Sequence, residues 1–296
     1  MYNAPPPEAN PAFEALLNYL RRSHSFDFTG YKRSSLMRRV DHRMRMIAIE
    51  SYSDYVAYLE GHLEELIHLF NTILINVTGF FRDASAREYV AKSIVPWITA
   101  RKSSDEPIRV WSAGCASGEE TYTLAMVLAE ALGMEQYGAR VRIYSTDLDE
   151  EALNQARQGS YLSTEVAGIP PALLNQYFEQ ADDRYVICKD LRRAIIFCRH
   201  NLIHNAPMSN IDLLVCRNVL IYFNIETQTR VLVRFHFGLK DSGFLFLGST
   251  EIVPTEMGDL FTRVDLRHHI FTKSPRVKLS TRLLIKALKK PQQRSG

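Results

Sequence analysis

The sequence predicts an α/β fold: a doubly wound, mostly parallel sheet, preceded by a small all-helical domain and interrupted by a small inserted β-hairpin subdomain. Three observations carry this. Apolar residues recur at helical spacing from Pro11 to about Gly79. From Ile108 onward, short apolar strands alternate with helical stretches, the pattern of parallel crossover units. Tyr185 to Cys188, bordered by Asp182-Asp183, then breaks that alternation as a hairpin.

Taken in order, residues 1–11 are Pro-rich and are expected to be disordered. The helical domain is expected over 12–82. Phe13, Leu16, Leu17 and Leu20 line its first helix, and Leu36, Val40, Met44 and Ile47 its second. On that second helix Arg38, His42 and Arg45 share one face, with Arg39 and Arg43 beside it. Ser53 is placed as the cap of a third helix through Tyr55, Val56 and Leu59. Leu63, Leu66, Ile67, Phe70, Ile73 and Leu74 line a fourth, which Asn76-Val77-Thr78-Gly79 ends. A connecting helix, Ser85 to Thr99, and a polar stretch fill 83–107. The sheet domain is expected over 108–272. Its strands are Ile108–Ser112, Val141–Ser145 running to Asp147, Ala194–Cys198, Ile211–Cys216 and Phe244–Leu247. Its helices are Thr121–Leu132 and Glu150–Gln158, and the hairpin subdomain occupies about 160–195. A basic tail, 273–296, follows. Within it Leu279 to Lys290 reads as an amphipathic partner helix or as a frayed end.

Composition narrows the function classes. A chain of 296 residues, 46% hydrophobic and 23% charged, buries a large core without disulfides or metals. No run reaches the roughly 18 apolar residues of a membrane span. The start of the chain shows no basic n-region and no apolar h-region, so a cytoplasmic location is expected. Cys115, Cys188, Cys198 and Cys216 form no C-x-x-C pair. Four free, mostly buried thiols are expected, with no metal. The net charge of +3 is uneven. Eight of the 36 Lys and Arg lie in 273–296, which has no acid, and this leaves 28 basic against 33 acidic residues before it. A mildly acidic body with one basic helix and a basic tail points to an acidic partner rather than to general nucleic-acid affinity.

The chemistry is expected at the carboxyl ends of the strands. Gly114 and Gly118 lie in the turn after the first strand, but the turn is not G-x-G-x-x-G and has no Walker lysine. Glu119 and Glu120 would repel a phosphate and receive a cationic amine; a purely structural turn is the alternative. Asp147 ends the second strand, where an acid can bond both hydroxyls of a ribose, and Asp149 suits the cap of the following helix better. Together these describe a site for a cationic nucleoside without phosphate, a description that S-adenosylmethionine meets.

Five ordered blocks then make the chain recognisable. They are Asn76-Val77-Thr78-Gly79-Phe80-Phe81-Arg82-Asp83, the segment Arg109 to Glu120, Thr146-Asp147-Leu148-Asp149, Asn201-Leu202, and Cys216-Arg217-Asn218-Val219-Leu220-Ile221-Tyr222-Phe223. With the basic helix from Lys32 to Val40, the chain resembles the CheR-like family of chemotaxis receptor glutamate methyltransferases over roughly residues 13–272. The resemblance implies a class I methyltransferase-like sheet and S-adenosylmethionine as methyl donor, with S-adenosylhomocysteine as product. It implies transfer to receptor glutamates on a cytoplasmic helical bundle, tuning adaptation.

Residue by residue, the resemblance assigns Asn76, Thr78, Arg82, Glu119, Asp147, Asn201, Leu202, Arg217 and Asn218 to the cofactor. It assigns Arg82 and Tyr222 to catalysis, with the helical domain closing over the strand ends. Arg38, Arg39, Arg43 and Arg45 are expected to meet the acidic receptor surface. Family members that dock a receptor C-terminal peptide carry a longer, glycine-containing hairpin loop. Phe178 to Tyr185 has no glycine, so independence of such a peptide is expected. The alternatives are a nucleic-acid methyltransferase on the same fold and a non-catalytic S-adenosylmethionine-binding scaffold. Against the first stands the lack of an N/D-P-P-Y/F or Pro-Cys motif.

Overall fold

The computed structural model describes residues 10–24, 26–74, 76–254 and 257–274. The first nine residues and the basic tail from 275 lie outside them. The described chain forms two compact units, and Tyr222–Thr227 clusters with the first.

The first unit holds four helices, α1 (Pro11–His24), α2 (Arg33–Met46), α3 (Tyr52–Gly61) and α4 (Leu63–Ile73). Their apolar stripes meet in one core, with Phe13, Leu16 and Leu20 packed with Leu36, Val40, Tyr55, Leu59 and Leu69. Ser51 rather than Ser53 caps α3, accepting from the Asp54 amide at 3.5 Å. A β-bridge from Tyr31 to Phe223 and a hydrogen bond from the Lys32 amide to the Tyr222 carbonyl (3.0 Å) hold the 222–227 turn in this unit. Asn76 to Arg82, expected in the helical domain, cluster with the second unit.

The second unit is built on ten strands: β1 (Ile108–Ala113), β2 (Val141–Asp147), β3 (Ser160–Leu162), β4 (Phe178–Ala181), β5 (Arg184–Ile187), β6 (Ile195–Arg199), β7 (Ile211–Cys216), β8 (Leu239–Leu247), β9 (Phe261–Asp265) and β10 (Ile270–Lys273). Seven form one sheet in the order β6-β2-β1-β7-β8-β10-β9. Strands β6, β2, β1, β7 and β8 run parallel, and β10 and β9 add antiparallel at the far edge. β7 is buried at all six positions, as a strand covered on both faces must be, and its one charged residue, Asp212, pairs with Lys102 at 3.1 Å. The chain passes from β1 to β2 on one side and returns to place β7 on the other. The carboxyl ends of β1 and β7 are therefore the switch point at which such sheets bind ligands.

Strands β3, β5 and β4 make the separate three-stranded sheet of the inserted subdomain. β4 and β5 are joined by the two-residue turn Asp182-Asp183, with Asp182 at φ +54°. The connecting helix runs over Ala84–Thr99, with a π-helical stretch, Val90–Ile94, in its middle. No helix among the described residues is long and apolar enough to cross a membrane.

Candidate active site

The loop after β1 is shaped by its own backbone. Gly114 (φ +76°), Ala116 (φ +47°) and Gly118 (φ +97°) take left-handed conformations, which tighten it into a cradle at the start of the helix Glu119–Leu132. The amides of Gly114 and Cys115 both donate to the Thr146 carbonyl (2.7 and 3.1 Å), pinning the loop to the end of β2. A Cβ on Gly114 would stand 2.2 Å from Val219 Cγ2, so the β1 and β7 loops touch where only glycine fits. Beneath the loop the hydroxyls of Thr121, Ser112 and Ser145 form a buried chain (3.1 and 2.6 Å) that ties the helix start to β1 and β2.

Asp147 closes β2. One of its oxygens accepts from the Ala116 amide (2.8 Å) and the other from the Asp149 amide (3.0 Å). A carboxylate has about four acceptor positions, so two remain for hydroxyl donors. Burial pushes its pKa up, against the pull of those amide bonds. Asp149 is the cap expected of it: its Oδ1 accepts from the Glu151 and Ala152 amides, and its Oδ2 takes the Asn76 side-chain amide at 2.6 Å. Asn76 thus meets the end of β2 through Asp149, and Thr78 follows two residues on, outside any helix or strand. Glu119 is buried, held by the Ser117 hydroxyl at 2.8 Å, and burial raises its pKa.

Asn201 and Leu202 follow β6. The Asn201 side chain caps its own turn by accepting from the Ile203 amide (2.9 Å), and the Leu202 carbonyl takes the Arg234 guanidinium at 3.1 Å. Arg217, after β7, is buried and committed to two carboxylates, Glu120 at 2.7 Å and Asp83, with its plane over Phe246. Asn218 sits at φ +61°. Its turn is held by a residue that reading the sequence missed: Glu251, buried, accepts from the amides of Asn218, Val219, Leu220 and Gly248 at 2.6–3.1 Å. Nothing local in the sequence marks Glu251, because its partners lie more than thirty residues upstream, apart from Gly248.

Arg82 is exposed, with Nη1 on the Val77 carbonyl (2.9 Å), and its charge draws Glu119 and Glu120 down against burial. Tyr222 clusters with the helical unit, its ring 4.7 Å under the Arg39 guanidinium. Arg82 and Tyr222 thus fall in different units.

The basic helix needs correction. Arg39 is buried, donates to the Ile73 carbonyl and stacks on Tyr222; burial pulls its pKa down. Arg43 is locked in a fork on the buried carboxylate of Glu65 (2.5 and 2.7 Å), which also holds the Tyr55 hydroxyl (2.8 Å). Neither presents its charge to solvent. Arg38, His42 and Arg45 alone of that group remain exposed.

A glycine cradle with no lysine or arginine of its own, a strand-end acid with free acceptor positions and a buried second acid fit a cationic, phosphate-free nucleoside. Comparison with known proteins agrees. The CheR methyltransferase SAM-binding domain matches residues 76–270, and the CheR methyltransferase all-alpha domain matches residues 11–74. The chain belongs to the CheR methyltransferase family. Family membership makes it an S-adenosylmethionine-dependent methyltransferase whose sheet-bearing unit is the cofactor domain. Similar curated proteins include the "Chemotaxis protein methyltransferase" of Borreliella burgdorferi, 30% identical over 246 residues, covering 80% of this chain and 87% of that protein. That of Salmonella typhimurium is 33% identical over 230 residues, covering 75% of this chain and 76% of its own. A 104.1 kDa protein of the hypE 3′ region in Rhodobacter capsulatus is 33% identical over 264 residues, 89% of this chain. This chain spans only 28% of that longer protein.

Proposed function

We propose that the protein methylates the side-chain carboxylates of glutamates on the cytoplasmic helical bundle of a chemoreceptor, and so tunes receptor adaptation. The observation that carries this is the switch-point cradle with Asp147 and Glu119 as its acids, in a chain related to chemotaxis methyltransferases. When bound, S-adenosylmethionine supplies a methyl group on a positively charged sulfur. Asp147 bonds the ribose hydroxyls through its two free acceptor positions. Glu119 meets the ammonium of the methionine part. Asn76 and Asp149 steady the loop around them.

A glutamate side chain in water loses its proton at about pH 4.3, so it is ionised at neutral pH and no general base is required. Positioning supplies the acceleration instead. We assign Arg82 and Tyr222 to the acceptor. The guanidinium of Arg82 is permanently charged and offers a fork to one carboxylate oxygen while the other attacks. The exposed Arg38, His42 and Arg45 complement an acidic helical surface. The short β4–β5 hairpin supports independence of a receptor C-terminal docking peptide. A measurable complex with a receptor-tail pentapeptide would contradict that.

Transfer of labelled methyl from S-adenosylmethionine to a receptor fragment, with base-labile release as methanol, tests the reading. Label in RNA, or in nothing, defeats it. Asp147→Ala is expected to cost about 1.5–3 kcal/mol of donor binding, the range for bonds to a charged group. Unchanged donor affinity by calorimetry in a folded variant removes Asp147 from the site.

A further inference from the structure

The outer strand β6 borders a wide, open hollow whose lining includes none of Gly114–Gly118, Glu119 or Asp147. Ile195 and Phe197, alternate residues on one face of β6, form its floor over Tyr122. Four cations surround that floor, Arg157, Lys189, Arg192 and Arg193, and no lining residue is acidic. The acids that do reach them act from outside. Glu150 pairs with Arg157 (2.6 Å) and Asp190 with Arg193 (3.0 Å), in side chains between 38% and 75% exposed, where ion pairs are weak.

Two of the cations are fixed by backbone oxygens rather than left to swing in solvent. Arg157 Nη2 donates to the Phe197 carbonyl (3.4 Å), and Arg192 Nη2 donates to the Arg157 carbonyl. Arg157 Nη1 is held as well by Glu150 and Asn154 (2.6 and 2.7 Å), so both guanidinium groups are pre-placed, which lowers the entropy lost when a ligand arrives. Lys189 and Arg193 complete the ring from exposed positions.

We propose that this hollow binds the phosphoryl groups of a small di- or oligophosphate. With Glu150 and Asp190 counted, the four cations carry a net of two positive charges; a single carboxylate would match one of them, whereas adjoining phosphoryl groups match both and present several acceptor oxygens, a geometry that arginine forks suit. The hollow is wide and open, so the choice of a compact polyanion over an acidic protein surface rests on the close grouping of its cations around a short apolar floor. Inorganic pyrophosphate and a nucleotide share this chemistry, and the apolar floor offers a nucleotide base a place to lie.

The test is calorimetric titration of the full chain saturated with S-adenosylhomocysteine, which keeps nucleotides out of the donor cradle. Pyrophosphate, ATP, GTP and a hexaglutamate peptide are titrated separately. Saturable binding of pyrophosphate or a nucleotide is expected, weaker as salt rises. Lys189→Gln with Arg193→Gln should weaken it about tenfold or more at unchanged thermal midpoint, since two charge-assisted contacts are lost. Equal affinity for pyrophosphate and nucleotides assigns the site to phosphate alone, and tighter nucleotide binding adds the floor. The proposal is overturned by no saturable heat at millimolar phosphate compounds, by undiminished binding in the double variant, or by hexaglutamate binding as tightly as any of them.

Discussion

Gly114→Ala is expected to weaken both the sheet-bearing unit and its hold on the methyl donor, and the structure allows the size to be worked out. Gly114 sits at φ +76°, a conformation that costs an L-residue roughly 1–2 kcal/mol. The new Cβ would also stand 2.2 Å from Val219 Cγ2. Val219 cannot retreat freely, because its amide is held by Glu251 at 2.8 Å. Overpacking of this kind costs roughly 1–3 kcal/mol. The expected loss is therefore about 2–5 kcal/mol, split between a backbone part and a steric part. The two parts separate in a double-mutant cycle with Val219→Ala, which removes the colliding methyl and leaves the backbone part. Val219→Ala should recover about 1–3 kcal/mol in the Gly114→Ala background, seen in denaturant melts and in S-adenosylhomocysteine calorimetry. Strict additivity, within about 0.5 kcal/mol, would show that the two loops do not meet as described and would refute the reasoning.

Other expectations follow from particular pairs. Reversing the exposed charges, Arg38→Glu with Arg45→Glu, should lower receptor methylation and its salt sensitivity at an unchanged thermal midpoint, whereas Arg39→Glu should lower the midpoint itself, because it places a carboxylate against the Ile73 carbonyl. Arg87→Met should stabilise the chain by about 1–3 kcal/mol in denaturant melts. Burial, with Arg217 adding to it, pushes the Arg87 guanidinium down to about 10, and its buried Nη1 has no hydrogen-bond partner among the described residues; destabilisation would show that its stacking on Phe81, 4.7 Å away, outweighs that cost. Burial raises the Glu65 carboxyl, but the bonds from Arg43 and Tyr55 outweigh it and leave the folded pKa below the ordinary value. Its stabilisation is therefore present at neutral pH and lost as pH falls from the ordinary carboxyl range through the lower folded value, so melts between about pH 7 and 3 should steepen in the wild type and flatten in Glu65→Gln.

Much of the architecture was legible because local signals agreed with the fold. β7 was read to the residue from an apolar segment broken only by Asp212, and the helix Glu150–Gln158 from Asp149 at its cap. The helix Ile225–Gly238 was not expected, and its β-branched and aromatic segment, Val231 to Phe235, explains why: that stretch reads as strand until it packs in the core. The α3 cap was misplaced by two residues because Ser51 and Ser53 are equivalent by type, and only the backbone geometry chooses Ser51.

The basic helix shows a different limit. Its spacing correctly put Arg38, His42 and Arg45 on one face. That Arg39 and Arg43 turn inward depends on Ile73 and Glu65, 34 and 22 residues away, and no helical period reports such partners. Glu119 and Asp147, the acids proposed for the donor, stood out because one starts a helix and the other ends a strand. The carboxylate that shapes the Asn218 turn was not, because it reaches back from beyond β8.

The placement of Glu251 bears on how the domain is made. The turn Asn218–Leu220 leaves the ribosome more than thirty residues before the carboxylate that collects its amides. Until then three adjacent N–H groups have only water as partner, and the loop against which Gly114 rests has no fixed shape. A nascent chain can thus assemble β1, β2 and most of β7's surroundings while its ligand cradle is still half formed. The proposed cradle is therefore expected to reach its bound shape only once β8 and Glu251 have been made. Chains that end before residue 251 should accordingly keep much of the sheet yet fail to retain the nucleoside.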